Sequence, residues 1–252
     1  MLKKHFIIFI FALITLFTSH TFASDDAYTV FVKANQMYKS TNYSKAISLY
    51  NKAASLGFAP GGLYYNLGNA YYREGNLGKS IASYLKARQL IPRDSEVIEN
   101  LNIARSQTTD NVTPDEPPAA LRQFLFIYYR LSFDELLWTT AILSAIFFIM
   151  LSFYAFFPFS PIRKIIRITL IFLIITGSTA AVKFHHISSN STGVVISKSA
   201  IVRAGPGESY AEIFVLHNGT EVKILKKKNS GAKIQVDKKK GWINIDDIDI
   251  IK

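Results

Sequence analysis

Residues 61–92 read GGLYYNLGNAYYREGNLGKSIASYLKARQLIP, and this stretch decides the architecture of the N-terminal half. Tyr64, Leu67, Gly68 and Tyr71 lie on a first helix; Ser80, Tyr84 and Ala87 lie on a second. Gly75-Asn76 makes the turn between them, and Pro92 ends the second helix. Small residues let two antiparallel helices approach closely, and aromatic rings fill the gaps beside them.

Working outward, the same text recurs at an offset of 34 residues: Ala34-Asn35 as Gly68-Asn69, Tyr38 as Tyr72, Asn42 as Asn76, Lys45 as Lys79, Ile47 as Ile81, Tyr50 as Tyr84 and Lys52-Ala53 as Lys86-Ala87. A period of this length is the mark of a stacked repeat, in which each unit buries its apolar face only against a neighbour. The earlier unit departs from the later one at Lys33 and Met37, where Leu67 and Tyr71 stand. Ser95 to Gln107 is expected to be a further, capping helix, with Val97, Leu101 and Ala104 facing inward. The second unit closely resembles the tetratricopeptide repeat (TPR) family, and residues 24–107 are expected to form two repeats plus the cap. In that family the first helix of each repeat lines a concave peptide groove. The resemblance implies a groove lined by Asn35, Tyr38, Lys39, Tyr65, Asn69, Tyr72 and Arg73, where asparagine and a cation would hold a peptide carboxylate. An ordinary solvated helix face is the alternative.

Beyond the repeats, residues 108–119 are polar and proline-rich, the composition of a semi-rigid linker. Residues 120–135 are rich in Phe and Tyr and suit a helix on a membrane surface. Leu136 to Phe157 is uncharged, apolar and long enough to span a bilayer, and Ile165 to Val182 is a second span. The connection 158–164 permits only a helical hairpin. Arg163, Lys164 and Arg167 mark it as the cytoplasmic end, so both flanking regions fall outside the cytoplasm. At the N-terminus, Lys3 and Lys4, the apolar run Phe6–Phe17 and Thr21-Phe22-Ala23 have the order of a secretory signal over 1–23, which predicts the same side. Neither span carries an ionisable residue in its interior, so the pair suits an anchor rather than a transport path.

From Thr192 onward the pattern changes to short alternating strands: Val194–Ile196, Ile201-Val202, Glu221–Leu225, Lys233–Val236 and Trp242–Ile245, with turns at Asn218-Gly219 and 229–231. An all-β unit of this size is best built as a small barrel. Its details resemble the bacterial SH3 family: Val202-Arg203-Ala204-Gly205-Pro206-Gly207 early, Asn218-Gly219 and Val222 in the middle, Gly241-Trp242-Ile243 late. The resemblance implies a largely core Trp242, a turn eased by Gly241, and an affinity of such barrels for cell-wall peptides. The motif residues over 192–252 are thus Arg203, Gly205, Pro206, Gly219, Gly241 and Trp242.

No catalytic constellation stands out. Gly75–Ser80 reads GNLGKS, but Arg73 occupies the position where a phosphate-binding loop needs glycine. His185-His186 follow a membrane span and suit an interfacial position better than a metal site. Asp246, Asp247 and Asp249 lack calcium-loop spacing and are expected on a solvated edge. The chain has no cysteine, which excludes disulfides and thiolate chemistry. The net charge is +11; residues 24–120 are close to neutral, whereas residues 192–252 hold 11 Lys/Arg against 7 Asp/Glu. The excess lies in Lys226–Lys228 and Lys238–Lys240, expected as turn lysines that blunt sheet edges. No nucleic-acid partner, metal or other cofactor is expected.

The fold class is therefore multidomain: all-α TPR hairpins, a two-helix transmembrane hairpin and an all-β SH3-like barrel. This order resembles the BatE-like aerotolerance-operon family. The resemblance implies a non-catalytic scaffold on the periplasmic side of the bacterial inner membrane. Its partners would be membrane proteins with von Willebrand factor A domains and a MoxR-type ATPase. The rival expectation is a cell-wall sensor or tether that holds peptidoglycan through the barrel.

Overall fold

The computed structural model describes residues 25–110, 112, 118–189, 191–228 and 230–251. The signal segment expected over 1–23 and the proline-rich residues 113–117 lie outside the described residues.

The repeats fold as α1 (Asp25–Lys39), α2 (Tyr43–Ser55), α3 (Gly61–Arg73) and α4 (Leu77–Leu90), followed by α5 (Ser95–Arg105). Both hairpins use the same devices, 34 residues apart. Asn42 caps α2 by accepting the Lys45 N–H at 3.3 Å, and Asn76 caps α4 by accepting the Lys79 N–H at 3.3 Å. The turns before them need a left-handed residue: Gly75 has φ +83°, and its counterpart Thr41 has φ +59°. A β-branched residue there carries strain that glycine does not. Gly68 answers another need, since a Cβ at that position would stand 2.6 Å from the Tyr84 ring. Its counterpart Ala34 fits a methyl into the first hairpin, fully buried.

After the repeats come two short helices, α6 (Ala119–Phe124) and α7 (Phe126–Arg130), with a break at Leu125 where one continuous helix was expected. Then follow α8 (Phe133–Phe156) and α9 (Ser160–Ser189), each long and apolar enough to cross a membrane. Most of their large side chains, including Ile142, Ile149, Phe172 and Ile174, are exposed, so these helices are not the core of a water-soluble fold. Ser132 starts α8 with a capping box closed by Glu135. Arg93, beyond α4, pairs with Glu135 at 2.5 Å and ties the repeats to the start of that helix.

Helix α9 ends at Ser189 and β1 (Ser191–Val195) begins two residues later. The rest is β2 (Ser199–Arg203), β3 (Glu212–His217), β4 (Glu221–Lys228), β5 (Gly231–Val236), β6 (Lys239–Asn244), a short 3-10 turn (Ile245–Asp247) and β7 (Ile248–Ile251). All pairings are antiparallel, in the order β3-β2-β6-β5-β4-β1-β7. Val195, Val202, Leu216, Ile224, Ile234, Ile243 and Ile248 come from all seven strands yet share one apolar cluster, so the sheet curls round its own core.

Three strand-level expectations need correction. β3 and β7 were not foreseen: β3 is largely exposed at the sheet edge, and β7 includes Asp249 of the acidic run. Lys226–Lys228 extend β4 with exposed side chains and do not form a turn. Asp247 is no solvated edge residue; its carboxylate accepts the Ser197 hydroxyl at 2.5 Å.

The repeats and the sheet are joined. Ile81, Ala82, Leu85, Leu101 and Ala104 of α4 and α5 share a buried cluster with Val194 of β1 and Ile251 of β7. A Cβ on Gly78 would sit 2.3 Å from the Val195 carbonyl oxygen. The Gly78 N–H donates to Asn218 Oδ1 at 2.7 Å. Arg105 holds Glu221 through two hydrogen bonds of 2.6 and 2.9 Å, with both side chains largely buried. The start of the expected linker belongs to this joint as well. Asp110 accepts the His217 backbone N–H at 2.7 Å and the Thr220 hydroxyl at 2.6 Å, and lies 2.8 Å from His217 Nδ1. Val112 packs against the sheet core.

Candidate interaction surfaces

The expected groove residues sit on α1 and α3 and divide into two groups. Lys39 and Arg73 are exposed, whereas Asn35, Tyr38, Tyr65, Asn69 and Tyr72 are half-buried. The two asparagines are not loose surface groups. Asn35 Oδ1 accepts the Tyr50 hydroxyl at 2.7 Å and Asn66 Nδ2 at 3.0 Å. One repeat later, Asn69 Oδ1 accepts the Tyr84 hydroxyl at 2.6 Å and Asn100 Nδ2 at 3.0 Å. All three members of the triad shift by 34 residues, so α5 supplies to repeat two what α3 supplies to repeat one. This ladder was not foreseen. Its signal was present in Asn66 and Asn100, which recur at the repeat offset.

Burial accounts for the tyrosines' protonation. It raises the Tyr50 and Tyr84 hydroxyls well above their ordinary pKa, keeping them neutral donors. Each asparagine oxygen is therefore saturated by two donors, and the Asn69 side chain also hydrogen-bonds the Tyr65 hydroxyl. The two asparagine side chains are thus fixed in orientation, with the cations Lys39 and Arg73 exposed one helical turn on. Tyr65 is partly committed: its hydroxyl donates to Glu96 at 2.9 Å and accepts from Asn100 at 3.1 Å. Tyr72 accepts from Gln107 Nε2 at 2.5 Å.

The sheet carries a second surface. Arg203, Pro206, Glu208, Trp242, Asn244 and Asp247 are among the residues lining a cavity of about 350 Å³. Trp242 is half-buried in its wall and is not the core residue expected. Gly231 explains the shape, since a Cβ there would meet Pro206 at 3.4 Å and Trp242 at 3.5 Å. Arg203 reaches Glu212 Oε1 at 3.1 Å, but its buried Nε has no hydrogen-bond partner among the described residues. Gly205 and Gly241 serve close approach: a Cβ would fall 2.3 Å from the Tyr210 ring and from Val202 Cγ1, respectively. Gly219 does a different job. It has φ +91°, and a Cβ would stand 2.7 Å from Thr108 and 3.1 Å from Ile81. That motif turn faces the repeats and lies away from the cavity.

Comparison with known families identifies both modules. Residues 62–94 match the model of the tetratricopeptide repeat, and residues 198–248 match that of the bacterial SH3 domain. Both are non-catalytic modules. No curated protein matches the sequence. Among solved structures, the crystal structure of an NlpC/P60 family protein from Bacillus cereus ATCC 10987 matches with a TM-score of 0.22 and 15% identity. The match covers 28% of this chain and 23% of that one, well under two thirds of its length. The chain thus combines a TPR helical region, two long apolar helices and a bacterial SH3-like antiparallel sheet.

Proposed function

We propose that this protein is a membrane-anchored, non-catalytic scaffold whose TPR groove holds a segment of a partner protein. The observation that carries this reading is the repeated triad, which fixes the Asn35 and Asn69 side chains beside the exposed cations Lys39 and Arg73. Such a row of amides and cations suits the carbonyls and terminal carboxylate of an extended peptide. Helices α8 and α9 serve as the anchor. Two crossings return the chain to the side it left, in keeping with the contact between repeats and sheet. With Arg163, Lys164 and Arg167 at the cytoplasmic end, both modules lie on the periplasmic side of the inner membrane. The order of modules resembles the BatE-like family, which makes von Willebrand factor A-domain membrane proteins and a MoxR-type ATPase system the partners to seek.

Affinity purification of the full-length protein from solubilised membranes tests the reading. The expected result is recovery of a membrane protein that is lost in Asn69→Ala/Arg73→Ala. Equal recovery by that variant, in a protein that melts normally, would defeat the groove assignment.

The cavity beside Trp242 supports a second reading, a cell-wall tether. It offers a half-buried aromatic wall and an arginine with one unmet donor, a setting for a small polar peptide. Co-sedimentation with purified peptidoglycan, abolished by Trp242→Ala while the groove variant binds normally, would favour the tether.

A further inference from the structure

The outer face of the sheet carries lysines that neither reading above uses. Residues directly opposite one another on neighbouring antiparallel strands share a face. The register therefore sets Lys226, Lys233, Trp242 and Arg203 in one row across β4, β5, β6 and β2. A second row holds Lys223, Gln235 and Lys240, and a third holds Lys228, Gly231 and Asn244. The alternate positions Val202, Ile224, Ile234 and Ile243 belong to the buried core on the other side.

Protection of a sheet edge does not account for these lysines, because β4, β5 and β6 are interior strands. Lys223, Lys226, Lys228 and Lys240 are exposed, and Lys233 is half-buried. Among the described residues none of them makes an ion pair. The carboxylates on β2 to β6 are Glu212, which Arg203 engages, and Glu221, which Arg105 holds. Lys226 and Lys233 stand directly opposite each other on strands about 5 Å apart. Like charges so placed cost stability. The sheet keeps this repulsion and supplies no counter-charge of its own, which leaves a place for an anion from outside.

We infer that this face binds an acidic polysaccharide, with a sugar ring against Trp242 and its charged groups on the lysines to either side. Lys223 to Lys228 spans about 15 Å along β4, more than one small anion covers. Lysine is depleted from packed protein–protein interfaces, so a hydrated, flexible polyanion suits the face better than a folded partner. Single-stranded nucleic acid is held on a succession of aromatic side chains, whereas the three rows offer one half-buried ring. The inference goes beyond both readings above and depends on neither, since the groove lies on the repeats and the tether uses the cavity.

The test uses the full-length protein in detergent, titrated calorimetrically with polygalacturonate. Neutral dextran, polyglutamate and oligothymidylate are titrated in parallel. Saturable binding of polygalacturonate is expected, tighter than that of the other three and weakened as salt screens the lysines. Lys226→Gln/Lys233→Gln should weaken it about tenfold or more, the scale of two lysines lost from a charged contact. Lys45→Gln/Lys52→Gln removes the same charge from the exposed side of α2 and should leave affinity unchanged. Because Lys226 and Lys233 repel, their replacement should not lower the melting temperature, so lost binding is separable from lost folding. Lys223→Gln/Lys240→Gln, from the neighbouring row, is a second variant with the same expected loss. Equal weakening by the α2 variant, full affinity in the folded sheet variants, or equal binding of dextran would each overturn the site. Tighter binding of polyglutamate or oligothymidylate would overturn the polysaccharide assignment and give the face to an acidic polypeptide or a nucleic acid.

Discussion

The two repeats share a fold and a hydrogen-bond ladder, yet their outer faces are opposites. On α2, Ser44, Ser48 and Asn51 form an exposed polar stripe. Thirty-four residues later the same positions hold Gly78, Ala82 and Leu85, all buried. The spacing of four and three residues puts each trio on one helix face. In repeat one that face meets solvent; in repeat two it meets β1 and β7. The repeat pattern therefore specifies the hairpin, and departures from it specify what the hairpin touches. The concave side, where the asparagine triads coincide, is what both repeats keep in common.

Exchanging residues between the two faces is the most direct way to break this contrast. Leu85→Asn, which imports the repeat-one residue, should destabilise the joint by about 3–4 kcal/mol, as loss of a buried leucine and burial of an unpaired amide combine. The reciprocal Asn51→Leu should change stability by less than about 0.5 kcal/mol, since the position is exposed and only a solvent-exposed hydrogen bond to the Tyr71 hydroxyl, 3.3 Å long, is lost. Chemical denaturation of the detergent-solubilised protein measures both, and equal effects would refute the asymmetry. Gly78→Val should cost about 3 kcal/mol because its side chain meets the Val195 carbonyl, while Ser44→Val stays near neutral. Limited proteolysis would read that opening as new cleavage between α9 and β1. Glu221→Gln should cost about 2 kcal/mol by leaving the largely buried Arg105 with a weaker partner.

Acid should loosen the same joint. Asp110 feels burial, which raises its pKa. The Thr220 hydroxyl, the His217 backbone N–H and the His217 ring outweigh that effect, and its pKa is lowered overall. A carboxylate depressed in the folded state contributes stability above the ordinary carboxylate range, and the contribution is lost as pH falls through the lowered value. Asp110→Asn should flatten this acid dependence in melts recorded downward from neutral pH; an unchanged slope would assign it elsewhere. The smallest effect has the opposite sign. Thr41→Gly relieves the left-handed position that Gly75 already fills with glycine, and should stabilise the first hairpin by about 1 kcal/mol.

Much of the molecule was legible in the chain. A period of 34 repeats itself in residues that pack, and two uncharged apolar stretches leave few readings other than long exposed helices. β3 was harder because, as an edge strand with burial concentrated at Leu216, it lacks the alternation that marks a half-buried strand. β7 was hidden by its acidic neighbours, one of which, Asp247, is held by Ser197. The joint was missed because the telling mismatches lie on the second helix of each repeat, at Gly78, Ala82 and Leu85, whereas Lys33 and Met37 mark the first. Trp242 and the asparagine ladder depend on contacts between distant segments, which local spacing does not encode.

The shared cluster also sets an order of events during synthesis. Repeat two is complete by residue 94, but the strands that cover its outer face end at Ile251, and both apolar helices are made in between. If α8 and α9 cross a bilayer, then until the chain has entered it and returned, Ile81, Ala82 and Leu85 have no cover from β1 and β7. On that reading the repeats are made before the helices and finished after them, and their maturation waits on insertion of the hairpin. Chains that stall in the membrane would display that sticky face, giving quality-control proteases a ready means to distinguish them from finished molecules.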